Sequence, residues 1–237
     1  MSAAPLFALP GTLLDGRSLA AMLDGLAATT LLLGDCASLE DEVDRLAAHA
    51  PAPAVWLGHS LGGIVALHLA KRHPDRVAGL VLLGSNARAG RDTREDRRVA
   101  QWATAQLDGL TALVCDDLAP AYGLKAGADD AITASLAAQA EAIGLERFER
   151  QLGYARARTG LLAPRRPLRC PVLVLSGERD ALCPPLHGNE ITRLVEPPGR
   201  AEHHTLAGAG HLFPMQQPDL AAQHLRRFLH TLDEDAR

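Results

Sequence analysis

Val55-Trp56-Leu57-Gly58-His59-Ser60-Leu61-Gly62-Gly63 is the stretch that decides how the rest of the chain is read. An apolar run, Ala54 to Gly58, passes without a spacer into Gly-x-Ser-x-Gly, and a helix-like apolar run, Ile64 to Ala70, follows at once. A strand, a sharp turn and a helix in that order hold the turn serine in a strained backbone conformation, lifted clear of a sheet. Glycine is required at 58 and 62 because a side chain at either position would collide with the neighbouring strand and helix. The five-residue pattern alone is weak. Its weight comes from the strand before it, the helix after it, and an acid and a histidine in the correct order downstream.

Working outward, Pro5 to Leu9 is a short apolar strand that ends in the loop Pro10-Gly11-Thr12-Leu13-Leu14-Asp15-Gly16. Leu19, Met22, Leu23 and Leu26 recur at helical spacing and predict a helix over Arg17 to Ala28. Thr29 to Leu33 reads as the next strand, and Ser38 with Asp41 three residues on starts a helix whose apolar stripe is Leu39, Val43 and Leu46, closed by Pro51 and Pro53. After the helix that follows Ser60 comes Val77 to Leu83, apolar at successive positions, as in a strand covered on both faces. Strand and helix alternate up to this point, which predicts an α/β fold: a mostly parallel sheet of about six strands with helices on both faces.

The alternation stops at Ala87 and resumes near Cys170. Some eighty residues are too long for a structureless loop, so residues 87–168 are expected to form a helical cap inserted into a core of residues 1–86 and 169–237. Pro171 to Leu175 is then a strand, Pro184-Pro185 opens a helix reaching Val195, Ala201 to Leu206 is a polar edge strand, and Pro218 opens a closing amphipathic helix whose acidic end from Asp233 is expected to fray.

At 237 residues and 47% hydrophobic, the chain can bury one substantial core, and its net charge of −4 gives no sign of nucleic-acid or membrane binding. Small molecules are the expected partners. Met1 to Pro5 lacks a basic segment and Leu6 to Leu9 is too short for a leader or a span, so a soluble cytoplasmic protein is expected. Cys36, Cys115, Cys170 and Cys183 are widely spaced, with no C-x-x-C pair, and read as reduced thiols.

A serine hydroxyl needs a histidine to take its proton and a carboxylate to orient that histidine. Asp180 and His211 each follow a strand, in the order Ser, Asp, His, and are the candidates beside Ser60. Asp180 could instead be a turn residue or helix cap with Glu178 serving in its place, but the loop position favours Asp180; His59, His203 and His204 compete with His211, and their positions favour structural or solvent-facing roles. Leu61, directly after the serine, would supply one backbone donor for a transition-state oxyanion. Cys183 reads as a packing residue near the site.

Together, Gly58 to Gly63, GERDALCPP from Gly177 and GAGHLFPMQQPD from Gly208 resemble the α/β-hydrolase superfamily, over nearly the whole chain outside the cap. The opening LPGTLLDG is similar to its small capped esterase-type members, among them carboxylesterases and acyl-carrier methyl ester esterases. The resemblance implies an acid at Asp180 in a G-x-x-D loop, a histidine at His211, and a chain that opens at the family's third strand. It also implies a second oxyanion donor after Pro10-Gly11, where Pro10 replaces the family's histidine; Thr12 and Leu13 both remain open for that part. Leu13, Trp102, Tyr122 and Leu212 are the candidate substrate contacts, although Trp102, Tyr122, Phe148 and Tyr154 read first as cap core.

The implied reaction is hydrolysis of a carboxylic ester or thioester through an acyl-enzyme on Ser60, with no cofactor or metal. The alternatives are lactone opening, carbon–carbon hydrolysis or a lyase step at the same residues, or a binding protein without activity. Arginines 147, 150, 156, 158, 165, 166 and 169 read first as a solvated, partly salt-bridged face. They could instead dock an anionic partner such as a carboxylate, a coenzyme A thioester or an acyl-carrier phosphopantetheine, since guanidinium pairs with phosphate in a bidentate manner.

Overall fold

The computed structural model describes residues 4–50, 53–90, 95–162, 167–198 and 200–235. Met1 to Ala3, Pro51, Arg165 and Arg166 of the sequence reading lie outside the described residues. Six strands, β1 (Leu6–Leu9), β2 (Ala28–Thr30), β3 (Ala54–His59), β4 (Val77–Leu83), β5 (Val172–Gly177) and β6 (Ala201–Leu206), form one sheet in the order β2-β1-β3-β4-β5-β6, and each pairing is parallel. The chain leaves β1 in one direction to β2 and returns to β3 on its other side. Loops after β1 and β3 therefore part at a topological switch point, where open parallel sheets gather ligands.

Alternate residues of each strand face opposite layers. Phe7, Leu9, Trp56, Leu80, Leu82, Val172 and Val174 pack with α1 (Leu39–His49) and α2 (Leu61–Arg72). Leu6, Ala8, Val55, Leu57, Val81, Leu83, Leu173 and Leu175 pack with α9 (Pro218–Asp235) through Ala221, Leu225 and Phe228. The unbroken apolar strands are thus apolar on both faces because both are covered. Trp56 is fully buried, stacked on Phe7 at 5.0 Å, and its indole N–H donates to the Arg76 carbonyl at 3.1 Å. Ser38 caps α1 by accepting the Asp41 N–H at 3.1 Å, as the spacing predicted.

The structure corrects several boundaries. Arg17 to Ala28 is not an α-helix: a single 3-10 turn, Gly16–Ser18, is followed by successive tight turns closed by Gly25 at φ 73°. Those turns still bury Leu19, Met22 and Leu23, so they meet the apolar spacing without a continuous helical ladder. β2 ends at Thr30, because Leu31 makes the last rung to the Ala8 carbonyl. The helix α7 (Pro185–Thr192) stops before Val195, which bridges to Leu168 instead. Asp233 lies within α9, which follows the short helix α8 (Phe213–Gln216).

Between β4 and β5 stand α3 (Glu95–Leu107), α4 (Leu110–Leu113), a π-helical turn (Val114–Leu118), α5 (Ala119–Ala121) and α6 (Asp130–Ala157), which Gly144 breaks at φ 79°, ψ 165°. Their apolar residues, among them Leu113, Val114, Leu136 and Phe148, share one cluster with Leu13, Leu14 and Leu212 from the loops after β1 and β6. Among the described residues, no helix is long and apolar enough to cross a membrane.

The turn into α2 rests on glycine. A Cβ at Gly62 would lie 2.0 Å from the Leu9 carbonyl oxygen, and one at Gly58 would lie 2.4 Å from the Gly62 backbone. Both obstacles are main chain and cannot step aside. Gly62→Ala is expected to destabilise the protein by about 3 kcal/mol or more through overpacking, lowering Tm by roughly 6–12 °C for a chain of this size. A thermal melt with Tm within 2 °C of wild type would show that this contact does not constrain the fold.

Candidate active site

Ser60 follows β3 at φ 53°, ψ −115°, a conformation L residues rarely adopt. Four hydrogen bonds hold it there: its N–H donates to the Leu83 carbonyl at 2.9 Å, and its own carbonyl accepts the Gly63 N–H at 3.1 Å, the Ile64 N–H at 3.2 Å and the Ser85 hydroxyl at 3.0 Å. His211, in the loop after β6, places Nε2 3.0 Å from Ser60 Oγ and Nδ1 2.7 Å from Asp180 Oδ2. Asp180, after β5, uses Oδ1 to accept the Leu182 and Cys183 N–H groups, each at 2.8 Å. Burial by itself raises the Asp180 carboxyl, but the His211 imidazole and these two amides outweigh it and hold the group below the usual carboxylate range. An ionised Asp180 fixes the imidazole proton on Nδ1, which leaves Nε2 to accept the serine proton.

Neighbouring candidates are engaged elsewhere. Glu178 accepts the Gly208 N–H at 2.7 Å, His203 bonds Asn189 and Ser176, and His204 pairs with Glu202. His59 is buried behind the site and its Nε2 donates to the His211 carbonyl at 3.0 Å. Burial first, then the nearby His211 ring, pushes His59 down to about 3, against a smaller opposing pull from Asp180. Tyr122, at the end of α5, stacks on His211 with ring centroids 5.3 Å apart and 19° between ring planes.

A cavity of about 420 Å³ opens beside Ser60, lined also by Thr12, Leu61, Tyr122 and His211. Among the described residues, the Thr12 and Leu61 N–H groups donate to no protein acceptor. The Leu13 N–H does: it donates to Gln151 Oε1 at 2.9 Å. Of the two candidates left open after Pro10-Gly11, Leu13 is therefore committed elsewhere and Thr12 faces the cavity. Leu13 itself sits at φ 55°, which costs a non-glycine residue roughly 1–2 kcal/mol.

Of the expected substrate contacts, Tyr122 lines the cavity and Leu13, Trp102 and Leu212 do not. The Leu13 and Leu212 side chains are buried in the apolar cluster under the inserted helices, and Trp102 packs against it, 6.1 Å from Phe148. The arginines also divide. Arg147 pairs with Asp35 at 2.5 Å and Arg150 donates to the Gly34 and Asp35 carbonyls, so both fasten α6 to the loop after β2. Arg169 is exposed and lines a separate depression with Arg200. Arg158 reaches the cavity, joined by Arg88 from the loop after β4 and by Arg97 and Arg98 of α3, none of which the sequence marked because each is one charge among many in the stretch from Ala87 onward. Cys183 is a buried part of the lining. Among the described residues, no group of three or more His, Cys, Asp or Glu side chains could hold a metal ion.

Residues 6–224 match the alpha/beta hydrolase family. The chain belongs to that family. Curated relatives include the pimeloyl-[acyl-carrier protein] methyl ester esterases of Neisseria meningitidis serogroup B, 30% identical over 65% of this chain and 61% of the relative, and of Chromobacterium violaceum, 36% identical over 60% and 57%. With Vibrio vulnificus the match is 45% identical over 24% of this chain and 23% of the relative. The chain thus spans between about a quarter and three fifths of these curated relatives. An esterase from Thermogutta terrifontis superposes with TM-score 0.81 at 23% identity, covering 98% of this chain and 91% of that one. An enol-lactonase from Burkholderia xenovorans LB400 superposes with TM-score 0.80 at 22% identity, over 97% and 92%. Both likenesses are of fold.

His59 makes a pH test possible. Because its pKa is near 3 in the fold and near 6.5 when exposed, the unfolded chain takes up a proton that the native one refuses, so stability is lost as pH falls from about 6.5 toward 3. Between pH 7 and pH 5 this amounts to about 2 kcal/mol at 1.36 kcal/mol per unit. Denaturant midpoints at the two pH values should show His59→Gln losing less stability than wild type by that amount; equal losses would mean that His59 is not held neutral.

Proposed function

We propose that this chain is a serine hydrolase that cleaves a carboxylic ester or thioester of a small molecule. The observation that carries the reading is the unbroken contact from Asp180 through His211 to Ser60 Oγ at 2.7 and 3.0 Å, on a strained turn beside a cavity. Ser60 Oγ attacks the substrate carbonyl carbon as its proton passes to His211 Nε2. The Thr12 and Leu61 N–H groups meet the negative charge that forms on the carbonyl oxygen. As the tetrahedral adduct collapses, the alcohol or thiol departs with the proton from His211. Water then attacks the acyl-enzyme, again giving its proton to His211, and the acid leaves as Ser60 regains its hydrogen. Asp180 orients the imidazole and stabilises its charged form, and the Tyr122 ring face adds a cation–π attraction to that imidazolium. Residues 87–168 act as a cap that shapes the cavity. Four free cysteines fit a reducing compartment, and we place the protein in the cytoplasm.

Intact-mass measurement after fluorophosphonate treatment tests this. One adduct is expected on wild type, none on Ser60→Ala, and labelling slowed at least 100-fold on His211→Ala, with p-nitrophenyl butyrate turnover following the same order. A folded wild type that acquires no adduct would remove the serine-hydrolase reading and put a binding protein in its place.

The substrate carries a negative charge away from the scissile bond. Supporting this, the described cavity lining contains Arg88, Arg97, Arg98 and Arg158 and no Asp or Glu; Glu190 and Asp117, which pair with Arg88 and Arg97, lie outside the lining. Guanidinium groups on a cavity wall suit a carboxylate or phosphate, and the named substrate class of the curated relatives, an acyl-carrier-linked ester, is compatible with it. The mono-p-nitrophenyl ester of glutaric acid should show kcat/KM at least 10-fold above p-nitrophenyl butyrate at low salt, the gap narrowing in 0.5 M NaCl as charge is screened. Equal kcat/KM at low salt would remove the anionic preference and leave the hydrolase reading standing.

A further inference from the structure

We infer that Gln151, on the inserted helix α6, is a positioning residue for the oxyanion contact: by accepting the Leu13 N–H it holds the loop after β1 in the shape that leaves the Thr12 N–H for the substrate oxygen. The inference rests on the serine-hydrolase reading and goes further by giving a role to a side chain outside the reacting groups.

Gln151 is buried at 1% exposure and both ends of its amide are used. Oε1 accepts the Leu13 N–H at 2.9 Å, and Nε2 donates to the Leu33 carbonyl at 3.0 Å. The second bond fixes which way the amide faces, so an acceptor is always presented to Leu13. A second glutamine of the same helix repeats the contact one step along the loop: buried Gln139 accepts the Asp15 N–H at 3.0 Å, and Arg17 donates to the Ala138 carbonyl at 3.1 Å. Because Gly144 breaks α6 between the two glutamines, both halves of the helix grip the segment from Leu13 to Arg17.

The grip matters because Leu13 is strained. At φ 55° it occupies the left-handed region without being glycine, and left alone it would return to negative φ. Its side chain is anchored in the apolar cluster at 1% exposure. A change in φ would therefore be taken up by the Thr12–Leu13 peptide, moving Thr12, which faces the cavity with Ser60. A donor displaced by a fraction of an ångström no longer meets the developing oxyanion, which weakens transition-state binding more than substrate binding.

The test compares wild type, Gln151→Met and Gln151→Glu, with p-nitrophenyl butyrate kinetics, active-site titration by fluorophosphonate and thermal melts on each. Methionine fills the space without an acceptor, whereas glutamate keeps an oxygen for the Leu13 N–H in either protonation state. Gln151→Met should lose kcat roughly 10- to 100-fold, per titrated active site, with KM within about twofold. Gln151→Glu should keep kcat within about threefold although its melt is lowered, a split that a purely structural role would not give. Gln151→Met with kcat within twofold of an active wild type would overturn this inference and leave the hydrolase reading intact. So would Gln151→Glu losing kcat by about 10-fold or more per titrated active site, an outcome that is read on the glutamate variant alone if Gln151→Met does not fold. A wild type that neither acylates nor turns over would overturn both readings.

Discussion

The approach of the first turn of α2 to the Leu9 carbonyl is the constraint on which the site depends. With no side chain at Gly62, helix backbone and strand carbonyl come close enough that a methyl group would sit at 2.0 Å. This contact draws the start of α2 across β1, so the turn at Ser60 must be sharp and its φ positive. The Ser85 hydroxyl on the Ser60 carbonyl and the Leu83 carbonyl on its N–H brace the turn from β4. Strain at one residue is thereby held by contacts from both neighbouring strands, as strained residues at functional sites require. The same closeness sets the loop after β1 beside Ser60, where a Cβ on Gly11 would meet Ser60 Cβ at 3.2 Å.

Two imidazoles lie 5.1 Å apart here and their surroundings separate them. His211 has a carboxylate on one nitrogen and a hydroxyl on the other, and an aromatic ring over its face. His59 has burial and no carboxylate partner of its own, so it stays neutral through the physiological range. Its contribution is mechanical: the bond from Nε2 to the His211 carbonyl fixes the loop that carries His211. A neutral His59 sets no positive charge against the His211 ring, whose Nε2 lies 3.0 Å from Ser60 Oγ.

Periodicity made the inner strands legible because they are short, apolar and punctuated by Pro and Gly, and because parallel strands covered on both faces must be apolar at every position. The turn at Ser60 was legible for a steric reason, since only glycine tolerates the contacts at 58 and 62. The stretch after Ser18 misled because a run of tight turns can bury Leu19, Met22 and Leu23 at the spacing of a helix. Leu13, Trp102 and Leu212 fall outside the described cavity lining because an apolar residue beside a site serves equally to support it, and only coordinates separate the two. Arg88, Arg97 and Arg98 were hidden in a charged segment, and Gln151 and Glu42 could not have been found at all. The Glu42 carboxylate is fully buried, accepting the Cys36 N–H, the Tyr154 hydroxyl and the Arg45 guanidinium. Nothing local distinguishes it from the solvated acids that flank it on α1.

The inserted helices are tied to the rest of the chain by more than the covalent connections at their ends. Tyr154 bonds the Cys36 carbonyl and Glu42, Arg147 and Arg150 bond the Gly34–Asp35 segment, and Gln139 and Gln151 bond the loop after β1. Several of these bonds are buried, where a lost partner leaves an unsatisfied polar group and costs more than an exposed pair would. Apolar packing works in the same direction, since Leu13, Leu14 and Leu212 belong to the cluster that the helices build around Phe148. A segment held this way moves as a unit with the loops it touches. Any change of sequence that reshapes the cavity through α6 is therefore felt at Leu13 as well. In the proposed mechanism this couples selection of the substrate to the geometry that activates its carbonyl, because one helix bears on both.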